Sequence, residues 1–245
     1  MMIVIKYLNK FFISLRDNGV KNTFVKLNKF IIRESLIIFK NYYYKFVREK
    51  HFTFDGVRLE YFYHLYNKTY ENERIIEIPI ISHLINKYNL IEYCELGNVV
   101  WNYGIRGHMV IDKYDLSSSV LKEDIATYKP SKKIANMISI STLEHVGWDE
   151  GERGYDKVGQ AFNNIMNNVI IQGGYFIYTF PVGYNPFLDN YILKNKNLFK
   201  KLFFMKRISI DNVWVETNLE DCMNTKFDSP FINANGLVIG ILAAK

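Results

Sequence analysis

Six short runs of aliphatic, β-branched and aromatic residues lie between residues 90 and 242, separated by stretches of helical periodicity or turn composition. They are Leu90–Gly97, His108–Asp112, Ala135–Ile140, Tyr175–Phe180, Val213–Val215 and Leu237–Leu242. Residues 72–88 read as a helix. So do residues 155–169, through Val158, Phe162, Ile165, Met166 and Val169, with Gly173-Gly174 closing that unit. Strands that alternate with helices imply a largely parallel sheet, because parallel neighbours need a crossover and the crossover helices cover both faces. Ligands of such sheets settle beyond the carboxyl ends of the strands. The positions to inspect are therefore Gly97, Asp112, Asp124, Ser141 to His145, and Pro181 to Asn185.

Charge divides the chain. Residues 1–50 hold eleven Lys/Arg and three Asp/Glu, a balance of +8, whereas residues 51–245 hold twenty and twenty-two, a balance of −2. The basic excess belongs to an N-terminal arm that is also apolar at helical spacing: Val4, Leu8, Phe11, Phe12 and Leu15, then Leu27, Phe30, Ile31 and Ile38. Asp17-Asn18-Gly19 predicts a turn between two amphipathic helices. Lys6 and Lys10 interrupt the first apolar run, which falls short of the roughly 18 residues that span a bilayer, and no cleavage site follows, so neither a membrane span nor a secretion signal is expected. Two readings of the arm stay open: a helical cap on the main domain with lysines in water, or a helix pair lying on an anionic membrane surface. The lysine-rich stretch Lys194–Arg207 reads as a solvated helix face, with a patch for an anionic partner as the alternative. The expected organisation is an arm at 1–50, an aromatic-rich connecting segment at 51–71 and a main domain at 72–245.

Composition removes several classes of function. Apolar residues make up 49% of the chain and aromatics 16%, enough for a core and too much for wholesale disorder. Cys94 and Cys222, far apart in sequence, fit neither a disulfide scaffold nor a cysteine zinc site, and point to a reduced, cytoplasmic setting, or a peripheral one on the inner membrane face if the arm binds lipid. His51, His64, His83 and His108 lack metal-ligand spacing, so no metal is expected. No G-x-S-x-G is present, which leaves a hydrolase unsupported. The nearly neutral body makes a nucleic-acid track unlike this chain.

The first strand ends in Glu95-Leu96-Gly97-Asn98, and about fifteen residues later Asp112 ends the second. That is a nucleoside-binding layout. The glycine allows close approach of a ligand, and the second acid can accept hydrogen bonds from ribose hydroxyls. A dinucleotide needs G-x-G-x-x-G for its pyrophosphate, yet no second glycine follows until Gly104, and a Walker A loop is absent. A nucleoside without phosphates fits, with Asn98 able to take the left-handed conformation beside Gly97.

With these residues in view, positions 72–245 resemble the class I S-adenosylmethionine-dependent methyltransferases, and look most like a subgroup associated with sugar and cell-surface glycan biosynthesis. The stretches that carry the resemblance are 72–79, Glu95–Asn98, Val110–Asp115, Glu123–Ile125, Ile138–Glu150, Gly173-Gly174 and Phe180–Pro186. It implies a Rossmann-like α/β fold, a mostly parallel seven-stranded sheet with its last strand antiparallel, carrying here an N-terminal helical appendage. It implies S-adenosylmethionine as cofactor. Glu95, Gly97 and Asn98 match the motif beside the methionine part, Asp112 the ribose acid, Asp124 and Ile125 the pair beside adenine, and Ser141 and Thr142 the end of the fourth strand. The Gly-x-Gly after Gly97 is missing, and Asn136 stands where an aspartate often opens the fourth strand.

Methyl transfer to a hydroxyl needs alignment of donor and acceptor and a base for the proton. His145 is the base expected here, with Glu144 beside it; Asp149 and Glu150 are alternative bases that otherwise read as solvated or capping residues ahead of the next helix. Trp148, Tyr184 and Asn185 are the residues expected to contact an acceptor sugar, each with a bland alternative in packing or turn formation. The expected activity is O-methylation of a sugar or glycan intermediate. The competing expectation is a non-catalytic module with a degraded first motif, acting as a scaffold at a membrane.

Overall fold

The computed structural model describes residues 2–150 and 157–245. Tyr155, where the second helix was expected to begin, lies outside them. The chain divides into two compact units, Met1–Arg48 and Glu49–Lys245. In the first, helix α1 (Met2–Val47) is interrupted at Gly19, whose φ of 72° and ψ of 167° lie outside helical space. The interruption falls at the turn expected from Asp17-Asn18-Gly19, where glycine reaches a positive φ at no steric cost. Among the described residues no helix is long and apolar enough to cross a membrane.

The second unit opens, within the expected aromatic-rich connecting segment, with a hairpin of β1 (His51–Phe54) and β2 (Val57–Glu60). Helix α2 (Arg74–Lys87) follows. The sheet is then built from β3 (Cys94–Leu96), β4 (Met109–Ile111), β5 (Met137–Ile140), β6 (Tyr175–Pro181), β7 (Lys201–Arg207), β8 (Trp214–Thr217) and β9 (Gly236–Ala243). Helices α3 (Lys157–Asn164), α4 (Pro186–Lys194) and α5 (Leu219–Met223) fill the connections. Strand order is β4-β3-β5-β6-β9-β7-β8. The first four strands pair in parallel, and β9 runs antiparallel to β6 and to β7. This is the Rossmann-like α/β sheet expected from the sequence, mostly parallel in its first four strands with its last strand reversed; β8 adds an antiparallel edge through its hairpin with β7.

Side chains alternate across the sheet as a period of two requires. Leu96, Met137, Phe176, Tyr178, Val238 and Leu242 face α3 and α4, and pack with Val158, Phe162, Ile165, Leu188 and Ile192. Ile138, Ile140, Ile177, Ile239 and Ile241 face the other way and bury Ile75, Ile76, Ile80, Ile81 and Leu84 of α2. Each such side chain contributes about 1.5–3 kcal/mol when fully buried, so apolar packing holds the central strands on both faces. At Gly240 an added Cβ would stand 2.2 Å from the Tyr178 ring, so the aromatic lies flat on β9 only because that position has no side chain.

The lysine-rich stretch corrects the sequence reading. α4 ends at Lys194, and Lys201–Arg207 is strand β7, not a helix face. Its consecutive Leu202, Phe203, Phe204 and Met205 suit a pleated strand held between two neighbours. Arg207, 6% exposed, donates to the carbonyls of Ser209, Ile210 and Ile232, so it offers no exposed charge.

Candidate active site

Beyond the carboxyl ends of β3, β4 and β5 lies a cavity of about 400 Å³. Its lining comes from the segment after β3 (Gly97, Asn98, Val99), the segment after β4 (Asp112, Lys113, Tyr114), the Glu123–Ile125 loop and the segment after β5 (Ser141, Thr142, His145, Val146, Asp149, Glu150). β4 and β5 flank β3, so the segments that carry Asp112 and Ser141 leave strands two spacings, about 10 Å, apart.

The turn after β3 is held from behind. Glu95, fully buried, accepts hydrogen bonds on Oε1 from the amides of Val99 (2.8 Å) and Val100 (2.7 Å), and its Oε2 meets His108 Nε2 at 2.9 Å. Gly97 has φ 84°, and a Cβ there would lie 2.0 Å from Thr142 Oγ1. The absence of a side chain thus lets the β3 and β5 turns touch. Asn98 donates to Asp115 Oδ2 at 2.6 Å, while its own Oδ1 is buried with no hydrogen-bond partner. An orphaned acceptor in a cavity wall suits a ligand that donates hydrogen bonds.

Asp112 shapes its own turn. Oδ1 accepts from the amides of Tyr114 (2.8 Å) and Asp115 (3.0 Å), and Oδ2 has no partner among the described residues. Asp124 is fully engaged: Oδ1 accepts from the Ala126 amide at 3.0 Å, and Oδ2 from Lys113 at 2.9 Å and Lys157 at 2.8 Å. Burial alone would raise its pKa, but the two ammonium groups outweigh burial and hold it at about 2. Lys113 also meets Glu150 Oε1 at 2.7 Å, which accepts from Tyr114 Oη at 2.8 Å, and Lys157 pairs with Glu150 Oε2. Asp124, matched by resemblance to the pair beside an adenine, lines the cavity with its Oδ2 held by two lysines. Ile125 supplies an apolar wall, 4% exposed.

After β5, His145 Nδ1 lies 2.6 Å from Asp149 Oδ2. Tyr184 Oη donates to both Asp149 oxygens, at 3.1 and 3.2 Å, and its ring meets the imidazole edge-on at 5.0 Å between centroids. Asp149 can therefore hold the proton on Nδ1, which makes Nε2, 3.7 Å from Glu144 Oε1, the nitrogen able to act as a base. Burial and then Asp149 push the Tyr184 hydroxyl up to about 12, so it remains a donor.

Five of the residues named from sequence do not line the cavity. Glu95 and Tyr184 stand behind its wall, as described. Glu144 is 2% exposed, and burial, reinforced by Glu77 and Glu73 and only partly offset by Arg74, raises its pKa well above the usual carboxylate range; it is no cavity base. Asn185, 1% exposed, caps α4 by accepting from Phe187 N and donates to the Glu144 carbonyl at 2.9 Å, which consumes the amide expected to touch an acceptor. Trp148 packs on Phe187, with ring centroids 6.0 Å apart. Asn136 is structural, tying the Glu92 carbonyl and the Tyr175 amide to the start of β5. Lys113, Tyr114 and Val99 belong to the lining and were missed; the signal for Lys113 was its place directly after a strand-end acid. Among the described residues no group of His, Cys, Asp and Glu is arranged to hold a metal ion.

No family model matches the sequence, and no curated protein matches it. Solved structures do match. An S-adenosylmethionine-dependent methyltransferase from Clostridium acetobutylicum ATCC 824 is 12% identical, with 67% of this chain and 89% of that one covered and a TM-score of 0.37. The N-methyltransferase NodS from Bradyrhizobium japonicum WM9, in complex with S-adenosyl-L-homocysteine, is 9% identical over 70% of this chain and 91% of its own, with a TM-score of 0.41. A SAM-dependent methyltransferase from Archaeoglobus fulgidus is 12% identical, covers 67% and 93%, and has a TM-score of 0.36. At identities of 9–12% and TM-scores of 0.36–0.41 these are likenesses only.

Proposed function

We propose that the chain is an S-adenosylmethionine-dependent methyltransferase. The observation that carries this reading is one cavity lined together by Gly97, Asp112, Thr142 and His145, with no phosphate-binding loop beside it. The free Oδ2 of Asp112 suits a ribose hydroxyl, and the orphaned Oδ1 of Asn98 suits an amino group. When bound, S-adenosylmethionine supplies an electrophilic methyl group on a sulfonium. This chain's part is to bind, align and take a proton. Asp149 fixes the imidazole of His145, and His145 Nε2 accepts the proton of an acceptor hydroxyl as its oxygen gains the methyl group. A sugar hydroxyl as acceptor is proposed from the resemblance alone.

Titration calorimetry with S-adenosylhomocysteine tests the reading. Micromolar binding is expected, and absence of both heat and thermal shift would remove it. A panel of hexoses and hexosamines with labelled cofactor tests the acceptor.

The arm supports a second, independent reading, adsorption to an anionic membrane. Ile31, Ile32, Leu36, Phe39, Tyr42 and Phe46 of α1 are exposed among Lys26, Lys29, Arg33 and Lys40. Sedimentation with phosphatidylserine vesicles should retain the full chain and release one lacking residues 1–48; equal recovery would dismiss this reading.

A further inference from the structure

The stretch from residue 72 to residue 79, prominent in the sequence, has no part in the cavity lining. It forms the start of α2 and runs into the ends of β5 and β6. Asn72 accepts from the Arg74 amide at 3.1 Å, Glu73 accepts from the Ala234 amide at 3.3 Å, and Arg74 pairs with Glu77. Glu77 is fully buried, 64 residues before the side chain it holds most directly: Ser141 Oγ donates to Glu77 Oε1 at 2.6 Å. Thr179 Oγ1 of β6 donates to the same oxygen at 2.5 Å.

Ser141 is where this matters. It lines the cavity with a φ of 36°, in the left-handed region that residues with a side chain rarely adopt. Its amide donates to the Thr179 carbonyl at 3.0 Å. The next residue, Thr142, is the one that touches Gly97. A strained turn persists only where its surroundings over-determine it, and here a buried carboxylate accepts the hydroxyl of the strained residue while an arginine fixes that carboxylate.

We infer that Glu77 is a positioning residue for the cofactor cavity: through Ser141 it holds the left-handed turn after β5 and so sets the wall formed by Thr142 against Gly97. The inference rests on reading that cavity as the cofactor site, and its mechanical part stands without that reading. Glycine adopts the turn with no tether, so the dependence on Glu77 should vanish in Ser141→Gly.

The test is a double-mutant cycle. Affinity for S-adenosylhomocysteine is measured by calorimetry, and exchange of the residue 141 amide by hydrogen–deuterium exchange, for wild type, Glu77→Ala, Ser141→Ala, Ser141→Gly and Glu77→Ala/Ser141→Gly. Glu77→Ala and Ser141→Ala should each weaken binding about tenfold and speed amide exchange by a similar factor. The double variant should stay within about threefold of Ser141→Gly, whatever change Ser141→Gly itself makes at the cavity wall. Equal losses on removing Glu77 from wild type and from Ser141→Gly would overturn the inference, because Glu77 would then act by another route. If Glu77→Ala fails to fold, Ser141→Ala against Ser141→Gly decides, and equal behaviour of that pair overturns it. If wild type binds no S-adenosylhomocysteine, the methyltransferase reading falls, and the exchange cycle alone still confirms or refutes the tether.

Discussion

Replacing Asp112 with asparagine separates its two oxygens. Oδ1 builds the turn by accepting from Tyr114 and Asp115, and an asparagine carbonyl can do the same. Oδ2, without a partner among the described residues, is the atom offered to a ribose, and asparagine turns it into an NH₂ donor. Stability should therefore change little, by about 0.5 kcal/mol, as expected where no buried group is stranded. Binding should lose one charge-assisted hydrogen bond and leave a ribose hydroxyl facing a donor. A bond of that kind contributes about 1.5–3 kcal/mol, and about 1.4 kcal/mol is tenfold, so affinity for S-adenosylhomocysteine should fall roughly 10- to 150-fold. Calorimetry at about 25 °C measures the loss, and urea melts of both proteins check the fold. Asp112→Asn that folds like wild type and binds S-adenosylhomocysteine equally well would refute the reasoning. Asp112→Ala should show the same binding loss with an added loss of stability, because the Tyr114 and Asp115 amides lose their acceptor.

Three further outcomes are expected. With an acceptor hydroxyl in hand, His145→Ala should lower kcat/KM by about 10²–10⁴-fold and Asp149→Asn by less, with cofactor affinity changed less than threefold in Asp149→Asn; stopped-time assays with labelled cofactor measure this. Gly97→Ala would drive a methyl onto Thr142 Oγ1 at a φ of 84°, and should lose about 2–4 kcal/mol in a urea melt. Asp189, its Oδ1 buried without a partner, has its pKa raised to about 6 by burial, only partly offset by the Gly183 amide. A raised carboxyl pKa means the folded state binds the proton more tightly, so this contribution is full below about pH 4 and is lost as pH rises through about 6. Asp189→Asn should therefore gain stability relative to wild type between about pH 5 and 7, by at most about 3 kcal/mol; a difference that does not grow with pH would refute the assignment.

The strand ends were legible because buried parallel strands concentrate apolar residues and their ends need turn residues: Gly97 and Asp112 announce themselves locally. Gly19 did the same for the arm. What stayed hidden depends on pairing between distant positions. β7 was misread because lysines bracket its aromatic run, and only pairing with β9 and β8 makes Phe203 and Phe204 half-buried strand residues. Glu144 looked like a base from its place beside His145, but its carboxyl is buried, and nothing local reveals the Arg74, Glu73 and Glu77 charges around it. Asp124 stood where an acid was expected; that Lys157, 33 positions later, would neutralise it is a fact of the fold.

The place of β9 in the sheet also orders events during synthesis. It sits between β6 and β7 yet leaves the ribosome after every other strand. Until it arrives, the four parallel strands on one side and the β7–β8 hairpin on the other have no common partner, and each exposes a raw apolar edge. A nascent chain stalled before residue 236 should therefore be held by chaperones as two unjoined pieces, and release should coincide with insertion of this one central ribbon.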